Sequence, residues 1–216
     1  MVISGLLDEA FDEWEAWHPV EAARVLGGVE APWYVAAGWA IDLFLGGAPR
    51  EHQDLEIAVP RDRLGEFASA LAGYELFVPA EEGDEYLAWP LADSGDRPAT
   101  HHQTWVRDPS AGRWRLDLFR EPHDGDTWIC RRDDTIRLPY TELIEHTADG
   151  IPYGRPEIVL LFKATRNNAA GAEEARGRDE RDLAAVLEVL EPSRRRWLAE
   201  LLARVRPGHE WLARLG

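Results

Sequence analysis

The sequence predicts an α/β (α+β) fold with a helical part at its C-terminal end. Three observations predict it. Residues 33–47 read as strand, glycine, helix. The middle of the chain is a run of short strand patterns, and from Pro156 onward apolar residues recur at helical spacing.

Taken in order, Leu6, Leu7, Phe11, Trp14 and Trp17 are spaced as one helix face over residues 5–17. Pro19 opens a second helix, VEAARVLGG, which Gly27 and Gly28 end. WYVAA after Pro32 reads as a strand, and WAIDLFLGG as a helix closed by Gly46 and Gly47. DLEIAV, residues 54–59, alternates polar and apolar side chains as a strand does, and Pro60 stops it. RDRLGEFASALAG then reads as an amphipathic helix and YELFV as a strand. Further strands are expected near 87–91, 103–106, 113–119, 127–130 and 136–138, with hairpin chemistry in the DPSAGR turn. PEIVLLFKATRNN, RDERDLAAVLEVL and PSRRRWLAELLARV read as helices. The change of character near Ile151 suggests a catalytic half over 1–150 and a helical part over 151–216 packed on it.

The 216 residues suffice for one full core with a small appendage. The formal net charge of -16 repels polyanions, so duplex nucleic acid is an unfavourable partner and a cationic small molecule a favourable one. Plain solubility explains the same charge. A single cysteine, Cys130, excludes an intrachain disulfide, sits in the run TWICRR and reads as a packing residue. The acidic N-terminal segment has no signal-peptide pattern, and no stretch approaches the roughly 20 apolar residues of a membrane span. A cytoplasmic location is the expectation.

Asp54 and Glu56 stand at i and i+2 of a strand, so both carboxylates leave one face. Two such charges repel unless a cation lies between them, and Mg²⁺ suits a few carboxylates completed by water and phosphate oxygens. An ordinary solvent-facing strand would show the same alternation. Asp117 is an acid set in the strand-like run RWRLDLFR, where it needs a partner or a metal. Arg113 and Arg115 share its expected face, so an ion-pair ladder is the alternative. Upstream, Gly38 lies where a strand meets a helix. A helix start offers free N–H groups and a positive dipole end, which suit triphosphate oxygens, although most such turns bind nothing.

In this order, AAGWAIDLFLGGAPREHQDLEIAVPR resembles the segment of the small aminoglycoside and lincosamide nucleotidyltransferases of the DNA polymerase β superfamily. Those carry Gly-Gly-Trp-Ala-x-Asp followed by Arg-x-His-x-Asp-x-Asp/Glu. The matching residues are Gly38, Trp39, Ala40, Asp42, Arg50, His52, Asp54 and Glu56. PEIVLLFKATR and RGRDERDLAAVL resemble the helical segment of bacterial relatives, so the likeness runs from about Val35 to Leu187, weakest between Pro60 and Trp105. Ala37 replaces the first glycine of the pair, and Glu56 an aspartate.

The resemblance implies a polymerase-β-type nucleotidyltransferase fold, a mixed sheet flanked by helices. It implies an antibiotic-resistance-like transferase that moves a nucleoside monophosphate, AMP from ATP, to a hydroxyl of a small, cationic, aminoglycoside-like acceptor and releases pyrophosphate. Its cofactor would be Mg²⁺, held by Asp54, Glu56 and Asp117, with Asp117 also the general base. Gly38, Trp39, Asp42, Arg50, His52 and Lys163 would serve the nucleotide. Lys163 reads equally as a lysine snorkelling from a core edge, and His52 as a structural histidine.

Asp179 and Asp182 read as a solvated salt-bridge face and are left outside the site. His101 and His102 are adjacent in a strand, face opposite ways and read as structural. Trp89 and Trp105 are candidate pocket walls, and PGHEWL, shared with bacterial relatives, a packing segment. Two other readings compete: a toxin-type nucleotidyltransferase acting on RNA or protein, which a clustered arginine face near Arg131, Arg132 and Arg137 or near Arg194–Arg196 would favour, and a non-catalytic nucleotide-binding module.

Overall fold

The computed structural model describes residues 3–6, 14–46, 50–82, 85–166 and 172–216. It divides into two compact units. The first holds residues 1–35 and 51–123, the second 36–50 and 124–216. This partition differs from a division at residue 151: it places 36–50 and 124–150 with the C-terminal helices.

The first unit is built on seven strands in the order β1-β5-β4-β6-β7-β3-β2. These are β1 (Ile3–Leu6), β2 (Tyr34–Val35), β3 (Glu56–Pro60), β4 (Glu75–Glu82), β5 (Glu85–Pro90), β6 (Gln103–Asp108) and β7 (Arg113–Glu121). The sheet is mixed, because β3 and β7 run parallel while their neighbours are antiparallel. Its longer helices are α1 (Pro19–Leu26) and α3 (Leu64–Ala70), the latter entered through a 3₁₀ turn at Arg61–Arg63. Period-2 alternation sends Ile57, Leu118, Thr104 and Val78 to one sheet face, where all four are fully or almost fully buried. Phe67, Leu71, Ala22 and Leu26 are fully buried as well. Each large apolar side chain so removed from water contributes roughly 1.5–3 kcal/mol.

The N-terminal segment departs from the expected helix. Residues 3–6 are a strand paired with β5, and Trp14 forms an isolated bridge with Trp114, so the chain is extended there. Residues 7–13 lie outside the described residues, as do Gly47 and the end of the TRNN run. Helical spacing was satisfied by another arrangement: Trp14 packs edge-on to Trp105 at 5.4 Å and against Trp114 at 6.4 Å, a tertiary cluster that overrides local periodicity. The expected hairpin turn between β6 and β7 forms. The Asp108 carboxylate accepts hydrogen bonds from the Ser110 N–H (2.9 Å), the Ser110 hydroxyl (2.6 Å) and the Ala111 N–H (3.2 Å), which hold it down at about 2.

The second unit contains α2 (Ala37–Leu45), α4 (Pro156–Ala164), α5 (Ala172–Val189) and α6 (Pro192–Val205), with two short antiparallel pairs, 127–129 with 137–139 and 144–146 with 152–154. Cys130 is buried, consistent with a packing role. No helix among the described residues is long and apolar enough to cross a membrane.

Ala37 opens α2 with φ 46°, the one non-glycine residue at positive φ among those described. A Cβ in the left-handed region costs roughly 1–2 kcal/mol, part of which a glycine would return as unfolded-chain entropy. Ala37→Gly should therefore raise stability by about 0.5–1 kcal/mol, and Ala37→Val lower it. Urea unfolding midpoints of the three proteins check this.

Candidate functional site

Glu56 and Asp117 are direct partners in the parallel β3–β7 pair. The Asp117 N–H donates to the Leu55 carbonyl at 2.9 Å, so pairing runs to the residue after Asp54. Leu55 and Ile57 are fully buried, whereas Asp54 and Glu56 are half-buried on the opposite face. Strand alternation thus brings Glu56 and Asp117 to one face of two adjacent strands, and Asp54, two residues before β3, is near enough for its charge to act on Asp117. Trp105 is Asp117's cross-strand partner on β6, and Gln103 stands diagonally beside it on the same face.

Asp117 is only 3% exposed. Burial pushes its carboxyl up to about 8, and the charge of Asp54 adds to the rise. Hydrogen bonds from Gln103 and Trp105, and the charge of Arg120, oppose it. Gln103 Nε2 donates to Asp117 Oδ2 at 2.5 Å, while Oδ1 is buried without a hydrogen-bond partner. A buried oxygen lacking a donor is costly in apolar surroundings, and a hard cation is one species that would satisfy it. The Asp117 oxygen is thus a donor of the kind a divalent ion takes. Among the described residues no three His, Cys, Asp or Glu groups already converge at metal-holding distance. The alternative ladder is not formed by Arg115, which pairs instead with Glu15 (2.7 Å) and Asp108 (3.2 Å).

In the second unit, Ala36 stands at the N-cap of α2, where its side chain cannot cap the helix. Gly38 and Trp39 are buried in its first turn. The Arg50 N–H donates to Asp42 Oδ2 at 3.0 Å, and its guanidinium donates to Asp182 Oδ2 at 3.0 Å. Lys163 Nζ lies 2.8 Å from Asp182 and 2.9 Å from Asp179. Asp42, Arg50 and Lys163, all predicted as nucleotide residues, are thus tied together through an aspartate that the sequence reading set aside. His52 is half-buried in the segment that leads to β3.

Two expectations are corrected here. Asp179 and Asp182 are not a solvated face: they are 6% and 5% exposed, because this side of α5 turns inward. Nor does Lys163 snorkel; its ammonium is buried between two carboxylates, the arrangement that a desolvated charge requires.

Other singled-out residues separate by face and partner. Trp105 shares the acids' face, but Trp89 pairs with Val78 on the other face and carries the Arg97 guanidinium 3.8 Å from its ring centroid. The two tryptophans do not wall one pocket. His101 contacts Thr100 and the Arg97 carbonyl, whereas His102 stacks on Phe119 at 5.3 Å. In PGHEWL, Gly208 turns the chain at φ 80°, His209 Nδ1 accepts the Trp211 N–H at 3.2 Å, and the Trp211 indole donates to Glu180. Arg194 is drawn inward to the fully buried Glu157 at 2.6 Å and to Glu145 at 2.7 Å, and Arg195 bonds the Leu187 and Leu190 carbonyls. Arg131 and Arg132 lie over the Phe162 ring.

The sequence model of a family described as aminoglycoside-2''-adenylyltransferase matches residues 20–85. The chain is similar to the crystal structure of ANT(2'')-Ia in complex with adenylyl-2''-tobramycin, with TM-score 0.51 and 15% identity over 86% of this chain and 97% of that one. Lincomycin-bound LnuA, a lincosamide antibiotic adenylyltransferase, gives TM-score 0.46 and 14% identity over 74% and 93%. An antigenic nucleotidyltransferase-like protein from Paracoccidioides brasiliensis gives TM-score 0.45 and 15% identity over 99% and 94%. No curated protein matches the chain significantly. The chain has the mixed α/β nucleotidyltransferase fold and resembles these small enzymes.

Two outcomes follow. A carboxyl whose pKa is raised on folding weakens the fold as pH climbs from the unfolded value to the folded one, here from 3.8 to about 8. Metal-free Asp117→Asn should therefore melt above the parent at pH 9, with the gap shrinking toward pH 4; scanning calorimetry across pH measures it. Asp182→Ala strands the buried Lys163 with one counter-charge fewer and should cost about 3 kcal/mol in urea unfolding.

Proposed function

We propose that this protein is a nucleotidyltransferase that moves a nucleoside monophosphate, AMP from ATP, to a hydroxyl of a small cationic acceptor and releases pyrophosphate. One observation carries the reading: two acids in parallel register, a third two residues upstream, and a buried carboxylate among them with one unsatisfied oxygen. A solvated polar strand has no reason to bury Asp117.

Asp54, Glu56 and Asp117 would hold Mg²⁺, which when bound offsets the charge that builds on the phosphoryl oxygens. Asp54 and Glu56 orient the triphosphate. Asp117 accepts the acceptor's hydroxyl proton as the new O–P bond forms and the bond from Pα to pyrophosphate breaks. The uncapped start of α2, with Gly38 and Trp39 in its first turn, offers amide donors to phosphate oxygens. Asp42, Arg50, His52 and Lys163 serve the nucleotide in this reading.

The acceptor class rests on three things: the family described as aminoglycoside-2''-adenylyltransferase, the adenylyl-2''-tobramycin complex of a similar structure, and a net charge of -16. The macromolecular alternative loses support from the inward course of Arg194 and Arg195. Cytoplasmic residence belongs to the same proposal.

The test is label transfer from ATP with Mg²⁺ to aminoglycosides, lincosamides, tRNA and proteins, with pyrophosphate release followed in parallel. Label is expected on a drug; label on tRNA or protein would move the reading to the toxin type. Asp54→Ala should keep the parent's circular dichroism and lose turnover, and retained turnover defeats the assignment. Lys163→Ala should weaken nucleotide binding; unchanged affinity gives Lys163 a structural role alone.

A further inference from the structure

We propose that Gln103 is a positioning residue for Asp117, an inference that rests on the metal-binding reading of the three acids. Gln103 is half-buried at the start of β6, diagonal to Asp117 on the face the acids share. Its Nε2 donates to Asp117 Oδ2 at 2.5 Å, while Oδ1 has no hydrogen-bond partner. The carboxylate is therefore asymmetric. One oxygen is tied down and the other is presented.

A free aspartate rotates broadly about its terminal torsion, so an oxygen held from one side fixes where the other points. The side chain at 103 suits this use. An arginine or lysine there would bring a positive charge to the place a cation must occupy. A glutamate would add a fourth negative charge to three that already repel. A carboxamide donates a hydrogen bond and adds no charge.

Gln103 is itself held from behind. Arg120 is 2% exposed, and its guanidinium donates to the Gln103 carbonyl at 3.0 Å, to the Pro98 carbonyl at 2.9 Å and to the His101 carbonyl. The Arg120 N–H donates to the His102 carbonyl at 2.7 Å. One buried arginine thus fastens the turn before β6, and with it the origin of the Gln103 side chain. Outer groups that orient metal-binding carboxylates act through this kind of support.

The experiment uses the full chain as the near-isosteric Gln103→Met, with Gln103→Leu as a second variant, compared with Asp117→Asn. Mn²⁺ affinity is measured calorimetrically beside a non-hydrolysable ATP analogue, together with kcat, nucleotide KM and the melting temperature of the metal-free protein. We expect Mn²⁺ affinity and kcat to fall about 10–100-fold with nucleotide KM within about threefold. A lower melting temperature with unaltered Mn²⁺ affinity and kcat would reduce Gln103 to a packing residue and overturn the proposal. Unchanged Mn²⁺ affinity in Asp117→Asn would overturn the metal reading itself, and the proposal with it.

Discussion

The site is governed by a carboxylate that water cannot reach. Asp117 is carried inward by a strand whose Leu116 and Leu118 belong to the core, and parallel pairing sets Glu56 beside it. Nothing in a sheet rewards that juxtaposition, since two acids on one face repel and a desolvated one is worse. The surroundings mitigate it only in part. Gln103 satisfies one oxygen of the carboxylate, Trp105 and the charge of Arg120 also favour its ionised form, and Oδ1 stays without a hydrogen-bond partner. A costly arrangement kept inside an otherwise well-packed sheet is the mark of a residue placed for use.

The second unit treats its buried charges differently. Lys163 meets Asp179 and Asp182, Asp182 also takes Arg50, and Arg50 returns to Asp42. Positive and negative groups alternate, so no member is left desolvated alone. Glu157, fully buried, is answered by Arg194 at 2.6 Å. Such networks fix the packing of helices more than they strengthen it, because each pair must offset its own dehydration. The contrast is informative: across this network the fold cancels charge locally, and at Asp117 it does not.

The strands and helices around the acids were legible because their patterns are local. DLEIAV alternates, so the common face of Asp54 and Glu56 could be read directly, and DPSAGR carries its turn chemistry in its own side chains. What escaped was set by contacts distant in sequence. Residues 3–6 join β5, about 80 positions away, and Trp14 joins a cluster with Trp105 and Trp114; helical spacing could not disclose either. Asp179 and Asp182 look like any exposed i,i+3 pattern until Lys163 is found opposite them. Gln103 had no signal at all, since a glutamine near a strand start is unremarkable until its diagonal neighbour is known. The strain at Ala37 had a faint one, alanine standing where similar enzymes carry glycine.

The elevated proton affinity of Asp117 reaches beyond the site's architecture. Burial raises the Asp117 carboxyl to about 8, which favours its protonated form at neutral pH, so a proton competes with a cation for the same oxygens. Any ion that enters must evict it into the buffer. Loading would then grow easier as the medium turns alkaline, and the heat absorbed or released would depend on which buffer receives the proton. A side chain shielded from water thereby becomes sensitive to the acidity of the solution outside.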